Sequence, residues 1–208
     1  MRAIAIREDI HDLILDAAER LLGRYGYGKM TMDDLAREVG IGKGTLYLHF
    51  PGKEEVVLSR LDRMIGRLTA ELRAIAASPR DPAAKLREML VLRVLYRFDA
   101  ARGYAESIDE MLAAIRPGLL ARRERHFAEE AEVFAALLAE GKRGRTFSFR
   151  DAGTVAQSLI LATNSLLPSS LTVKQLGRRN AVEEKVSHIA ALLIDGLRPR
   201  AATKRRNL

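Results

Sequence analysis

The sequence predicts an all-α protein, and three observations lead there. Ala, Leu, Arg and Glu are abundant, with 48% hydrophobic but only 5% aromatic residues, a mixture that favours helix. Apolar residues recur at three- and four-residue spacing in one segment after another. Between these segments lie Gly- and Pro-rich breaks such as "GRYGYGK", "ASPRDP" and "PSS". A chain of 208 residues fits one or two domains and buries a substantial core. Cysteine is absent, which removes disulfides and thiolate metal sites. No apolar run approaches the ~18–20 residues needed to span a bilayer. Glu8, Asp9, Asp12 and Asp16 argue against the apolar core of a signal peptide, so a soluble, cytoplasmic protein is expected.

The first predicted helix carries Ile10, Leu13, Ile14, Ala17 and Leu21 on one stripe and ends in "GRYGYGK". Thr31, with Asp34 three residues later, marks the start of a second helix, because hydroxyl and carboxylate can satisfy free amide donors there. Met32, Leu35, Ala36 and Val39 form its apolar stripe, and Gly40 stands where a left-handed cap is wanted. Two turns of helix do not hold themselves together in water, so this piece must pack on neighbours.

The stretch "GIGKGTLYLHFPGK" has the composition of a phosphate-cradling loop, but its spacing fails. Lys43 is followed by Gly44, Arg37 stands five residues before Gly42, and an amphipathic helix precedes the stretch where a strand is required. The dinucleotide-binding fingerprint fails for the same reason. A helix–turn–helix fits instead. Ile41 buries in the turn, and a short helix runs from about Lys43 to Phe50 with Leu46 and Phe50 as core anchors. Lys43, Thr45, Tyr47, Leu48 and His49 are left largely on the other faces, and such a helix enters a major groove with its N-terminal residues leading. Pro51 stops it, and "PGKEE" starts the next helix with Glu54 and Glu55 in its first turn.

The run "TMDDLAREVGIGKGTLYLHFPGKEEVV", with "ILDAAERLLGRYGYGKMT" before it, resembles the DNA-binding region of the TetR family of transcriptional regulators. "LLAEGKRGRTFSF" resembles the end of a long regulatory helix and the turn after it. The resemblance implies phosphate contacts from Thr31, Tyr47, His49 and Lys53, whose donors would fix register on the duplex. Lys43 and Thr45 are the better placed residues for base edges, and Gly44 allows close approach. Where the family often has Ser, this chain has Gly42, which puts a side-chain phosphate contact there in doubt. Leu48 has two readings, pressing on a thymine methyl or packing on the first helix. Tyr47 can bury its ring and still present its hydroxyl.

The expected organisation is a helix–turn–helix DNA-binding domain over 1–52, a helical regulatory and dimerisation domain over 53–199, and a basic, disordered tail over 200–208. The net charge of +8 lies toward the C-terminus, "TKRRNL" included, and so does not locate the functional surface. Predicted helices follow around Val57–Leu72, Ala84–Phe98, Tyr104–Ile115, from "RPG" to Ala139, Ala152–Leu167 and Val182–Leu197. The last two are the expected dimer surface, through Val155, Leu159, Leu166, Ile189, Leu193 and Leu197, with simple core packing as the alternative. A lone two-turn reading helix contacts few base pairs, which favours a two-fold pair of readers, and the resemblance implies the same.

The resemblance also implies a small-molecule pocket between the middle helices. Met64, Leu68, Tyr96, Phe98, Tyr104, Ile108, Met111 and Phe134 are its candidate walls, with ordinary core packing as the alternative for each. Arg93 and Arg97, one turn apart, have two readings, a solvated face first and contact with an anionic ligand second. His126 and Glu130 read as an exposed ion pair or a solvated face, although their i,i+4 spacing would also suit a metal. No reactive constellation is present, so no enzyme, cofactor or metal is expected. The expected partners are double-stranded DNA bearing an inverted-repeat operator, a second copy of the chain and an unidentified small-molecule effector, with no membrane. The resemblance implies a repressor that the effector releases.

Overall fold

The computed structural model describes residues 2–199, and of residues 2–9 the backbone alone. The basic tail expected over 200–208 lies outside the described residues. Among those described, the chain forms α1 (Arg2–Lys29), α2 (Met32–Val39), α3 (Lys43–His49), α4 (Lys53–Ala77), α5 (Pro82–Arg102), α6 (Ile108–Arg143), α7 (Ala152–Asn164), α8 (Val173–Leu176) and α9 (Arg179–Leu197), with no strand. The all-α expectation is met. The glycine-rich end of α1 breaks at one residue only, Gly26, with φ 74° and ψ 172°. Helical turns lie on both sides of it, and the Tyr27 amide donates to the Ser107 hydroxyl just ahead of α6.

Apolar side chains form two cores. The first joins Ile14, Leu35, Leu46 and Phe50 of the N-terminal unit to Val56 and Val57 of α4, Val94 and Phe98 of α5, Ile108 and Ile115 of α6, and Val182 of α9. It crosses the expected boundary at residue 52 without interruption. The second lies further along α4 to α7 and α9, around Leu68, Leu72, Met89, Phe134, Leu159 and Ile194. Lys85 closes its far end. Its ammonium donates to the Ala76 and Ser78 carbonyls at the end of α4 and to Glu140 of α6 at 2.8 Å.

Two boundaries differ from expectation. "RPG" does not start a new helix, because α6 runs straight through Pro117. Tyr104, expected within a helix, lies in the turn before α6. Proline removes one backbone hydrogen bond, but packing outweighs it here. Ile108, Met111 and Ile115 ahead of the proline are buried in the first core. Just after it, Gly118 lets α6 approach α4 so closely that a Cβ there would sit 2.4 Å from a Leu58 methyl. A further difference is α8, a single turn that the apolar pattern did not indicate. It is held by a capping box in which the Thr172 hydroxyl accepts from the Gln175 amide and Gln175 accepts from Thr172.

Candidate nucleic-acid interface and effector cavity

The corner between α2 and α3 is fixed at both ends by local chemistry. The Thr31 hydroxyl accepts from the Asp34 amide at 3.1 Å, and Asp34 Oδ2 accepts from the Thr31 amide at 3.1 Å. The hydroxyl also donates to that carboxylate at 2.6 Å, and this hydrogen bond holds Asp34 below its ordinary pKa. At the other end Gly40 is left-handed, φ 77°, and its amide and that of Ile41 both reach the Ala36 carbonyl. Arg20 of α1 meets Glu38 of α2 at 2.9 Å.

Leu46 and Phe50 seat α3 on the first core as expected, and the Phe50 ring lies 4.7 Å from that of His11. The opposite face is left to solvent. Lys43 and Gly44 are exposed, Tyr47 is 46% exposed and Leu48 is 78% exposed, while Thr45 and His49 are half-buried. The second reading of Leu48, packing on the first helix, is therefore excluded. Lys43 pairs with Asp33 of α2 at 2.7 Å, and this hydrogen bond raises the lysine pKa. Thr31 uses both its donors on Asp34, so its first role is to cap α2. Lys53 donates to the Tyr27 carbonyl at 2.9 Å and lies over that ring, which leaves its remaining donors for other partners.

Between α4, α5 and α6 lies a cavity of about 160 Å³. Met64, Tyr104, Ile108 and Met111 line it, as expected from sequence. The other four candidates do not. Leu68, Phe98 and Phe134 are fully packed core, and Tyr96 lines a separate cleft beside Glu19 and Arg60. The cavity also has walls outside the eight candidates: Arg97, for which an anionic ligand was the second reading, and Arg116, Arg123, His126 and Phe127, which were not considered as walls.

Arg93, Arg97, His126 and Glu130, expected on solvated faces, are all buried. Glu130 accepts from Arg93 at 2.6 Å and from Arg97, while the rest of the Arg93 guanidinium donates to Thr163 and Asn164 of α7. Burial pushes Arg93 down to about 10, still charged at neutral pH. His126 lies 2.7 Å from Asp62 of α4, which Arg122 also reaches. One signal was available in the sequence. Arg93, Arg97, His126 and Glu130 repeat at four-residue spacing on facing helices, which suits reciprocal pairing as well as solvation.

The expected dimer residues divide. Leu159 and Leu166 are buried within the chain and are not available to a partner. Val155, Ile189, Leu193 and Leu197 are half-buried at the edges of the cores. The large apolar side chains that α7 and α9 leave outward are Leu161, 67% exposed, and Leu192, 76% exposed. They lie off the stripe that the spacing selected, because that stripe marks the face each helix turns toward its own core.

Similarity to known proteins agrees with this geometry. The profile for "Bacterial regulatory proteins, tetR family" matches residues 14–59, the segment from mid-α1 through the start of α4. The regulator EthR of Mycolicibacterium smegmatis is 37% identical over 81 residues, 38% of this chain and 37% of EthR. The alignment thus spans little more than a third of that relative. The repressor Rv1474c of Mycobacterium tuberculosis is 25% identical over 74% of this chain and 90% of its own. A transcriptional regulator from Cytophaga hutchinsonii superposes with a TM-score of 0.76 over 90% of this chain and 98% of its own, at 22% identity. A capped α2, a left-handed corner and an outward-facing α3 coincide with the matched segment, and it is this segment, residues 14–59, that belongs to the tetR family of bacterial regulatory proteins.

Proposed function

We propose that the protein is a homodimeric DNA-binding transcriptional regulator, a repressor released from a palindromic operator when a small molecule enters the α4–α5–α6 cavity. The observation that carries this reading is the division of α3: two residues anchor it in the core, and Lys43, Gly44, Tyr47 and Leu48 stand outward with no protein covering them. A helix so presented suits the major groove. Lys43 and Thr45 lead and Leu48 offers an apolar contact, while Tyr47, His49, Lys53 and Thr31 flank the groove toward phosphate. Leu161 and Leu192, with the half-buried residues beside them, supply the surface for a second copy. That the relative Rv1474c is a transcriptional repressor favours repression.

A connected set of contacts supports coupling between cavity and reading unit. The Tyr104 hydroxyl, on the cavity wall, accepts from Arg60 of α4 at 3.3 Å. Arg60 also meets Glu19 of α1 at 3.2 Å. Asp62 of α4 takes His126 and Arg122 of α6. A ligand that prefers one arrangement of these helices shifts the spacing of two readers, provided its affinity differs between the states. Band shifts with the full chain and the DNA upstream of its own gene test the reading. A retarded dimer on an inverted repeat, competed poorly by random DNA, is expected. Equal retention of random and inverted-repeat DNA overturns it.

A further inference from the structure

We propose that the cavity between α4, α5 and α6 takes a small amphipathic anion, an apolar body bearing a carboxylate-type headgroup that Arg116 and Arg123 hold at the solvent-facing side. The inference rests on the reading of this cavity as an effector site. Its charged walls are all arginines, Arg97, Arg116 and Arg123, beside the polar Tyr104, His126 and Ser169. No Asp or Glu lines it. The other walls, from Leu61 and Met64 to Phe127 and Leu167, are apolar.

The charges around it do not balance. Arg93 and Arg97 converge on the single carboxylate of Glu130, which leaves one positive charge in excess behind the wall. Four of the arginines of α6 then divide into two pairs. Arg122 reaches Glu55 and Asp62, and Arg125 reaches Asp62 and Glu129. Arg116 and Arg123 have no carboxylate partner among the described residues, and these are the two that line the cavity. Seven residues apart, they project from one side of the helix. The Arg123 guanidinium lies 5.1 Å over the Phe127 ring, which holds it against the wall.

An anion entering this site gains charge-assisted hydrogen bonds from the arginines, where a cation meets like charge. The volume sets the size of the apolar part. At about 160 Å³ it is close to the engineered cavity of about 150 Å³ that admits benzene, so a ring or short chain fits.

Isothermal titration of the full-length dimer with octanoate, 1-octanol and octyltrimethylammonium at fixed ionic strength tests this. Octanoate is expected to bind about tenfold or more tighter than octanol, and the cation more weakly than either. Arg116→Met with Arg123→Met is expected to reduce octanoate to the level of octanol, and the double Lys variant to retain most of the difference. Both arginines are exposed and unpaired, so an unchanged thermal midpoint verifies the fold. Equal binding of octanoate and octanol, or tighter binding of the cation, overturns the anion assignment and leaves the cavity as an effector site. Binding of none, or octanoate binding that survives filling of the cavity by Leu112→Trp, overturns both.

Discussion

The reading unit and the middle of the regulatory half bury opposite kinds of side chain. Around α1–α3 the buried residues are apolar, from Ile14 and Leu22 to Leu46 and Phe50, and the ion pairs Arg20–Glu38 and Lys43–Asp33 lie outside. Where α5, α6 and α7 meet, the interior holds Arg93, Arg97, Glu130, Thr163 and Asn164. The first arrangement gains from hydrophobic burial and specifies one geometry for a short helix. The second is costly to desolvate and is retained only with its partners in place.

The largest expected effect breaks that second region. Glu130→Ala leaves two buried guanidiniums without a carboxylate and is expected to destabilise by about 3–5 kcal/mol. Replacing the cluster together, Arg93→Met with Arg97→Leu and Glu130→Leu, is expected to recover most of that loss, since a well-packed apolar substitute is often neutral or better. Urea denaturation of both variants is the measurement. A Glu130→Ala cost below about 1 kcal/mol would mean that water already serves this interior, and the contrast with α1–α3 would lapse.

Next in size is Leu46→Ala in the reading unit. The side chain is fully buried, and the expected loss is about 2–5 kcal/mol by lost transfer and cavity terms. The same variant is expected to lose operator binding at temperatures where the rest of the chain remains helical by circular dichroism. The first core runs unbroken from α3 into α4, so the two losses are coupled. Retention of full operator affinity by Leu46→Ala would separate the seating of α3 from that core.

The two regions also differed in how far the sequence disclosed them. Spacing alone located α2, its Thr31 cap, the Gly40 corner and the anchors Leu46 and Phe50, because each of these is set by residues a few positions away. The interior of the regulatory half is set by partners far apart in sequence. Arg93 meets Glu130, Thr163 and Asn164 across 37, 70 and 71 positions. No local pattern distinguishes such residues from a solvated charged face. The apolar stripes of the last helices likewise showed where each helix faces its own core, which is why Leu159 and Leu166 turned inward and Leu161 and Leu192 outward. Four of the eight candidate wall residues do line the cavity, while Arg116 and Arg123 beside them were not legible as walls.

Thr31→Ala is expected to cost about 1 kcal/mol by removing the cap of α2. It also sharpens the comparison through pH. The Asp34 carboxyl is held below its ordinary value of 3.8 by the Thr31 hydroxyl and amide, so the unfolded chain binds its proton first as pH falls. Its contribution is present above that value and is lost as pH drops through the lower folded pKa. Thermal midpoints between pH 6 and pH 3 are expected to converge for Thr31→Ala and the parent. Parallel curves across that range would remove Asp34 from the cap.

The smallest expected effect on stability, and the sharpest on function, belongs to Leu48. At 78% exposed it contributes little to the fold, so Leu48→Ala is expected to leave the urea midpoint within about 0.5 kcal/mol. On operator DNA the same change is expected to weaken binding by up to about tenfold, if the side chain is buried against the groove. The contact can be removed from the other side by replacing thymines with deoxyuracil, which deletes only the C5 methyl. Leu48→Ala and one such replacement are then expected to be non-additive, the second change costing little once the first is made. Additive losses at every thymine would mean that the leucine meets no methyl. The exposed apolar side chain of α3 would then need a different occupant, and base preference would rest on Lys43 and Thr45 alone.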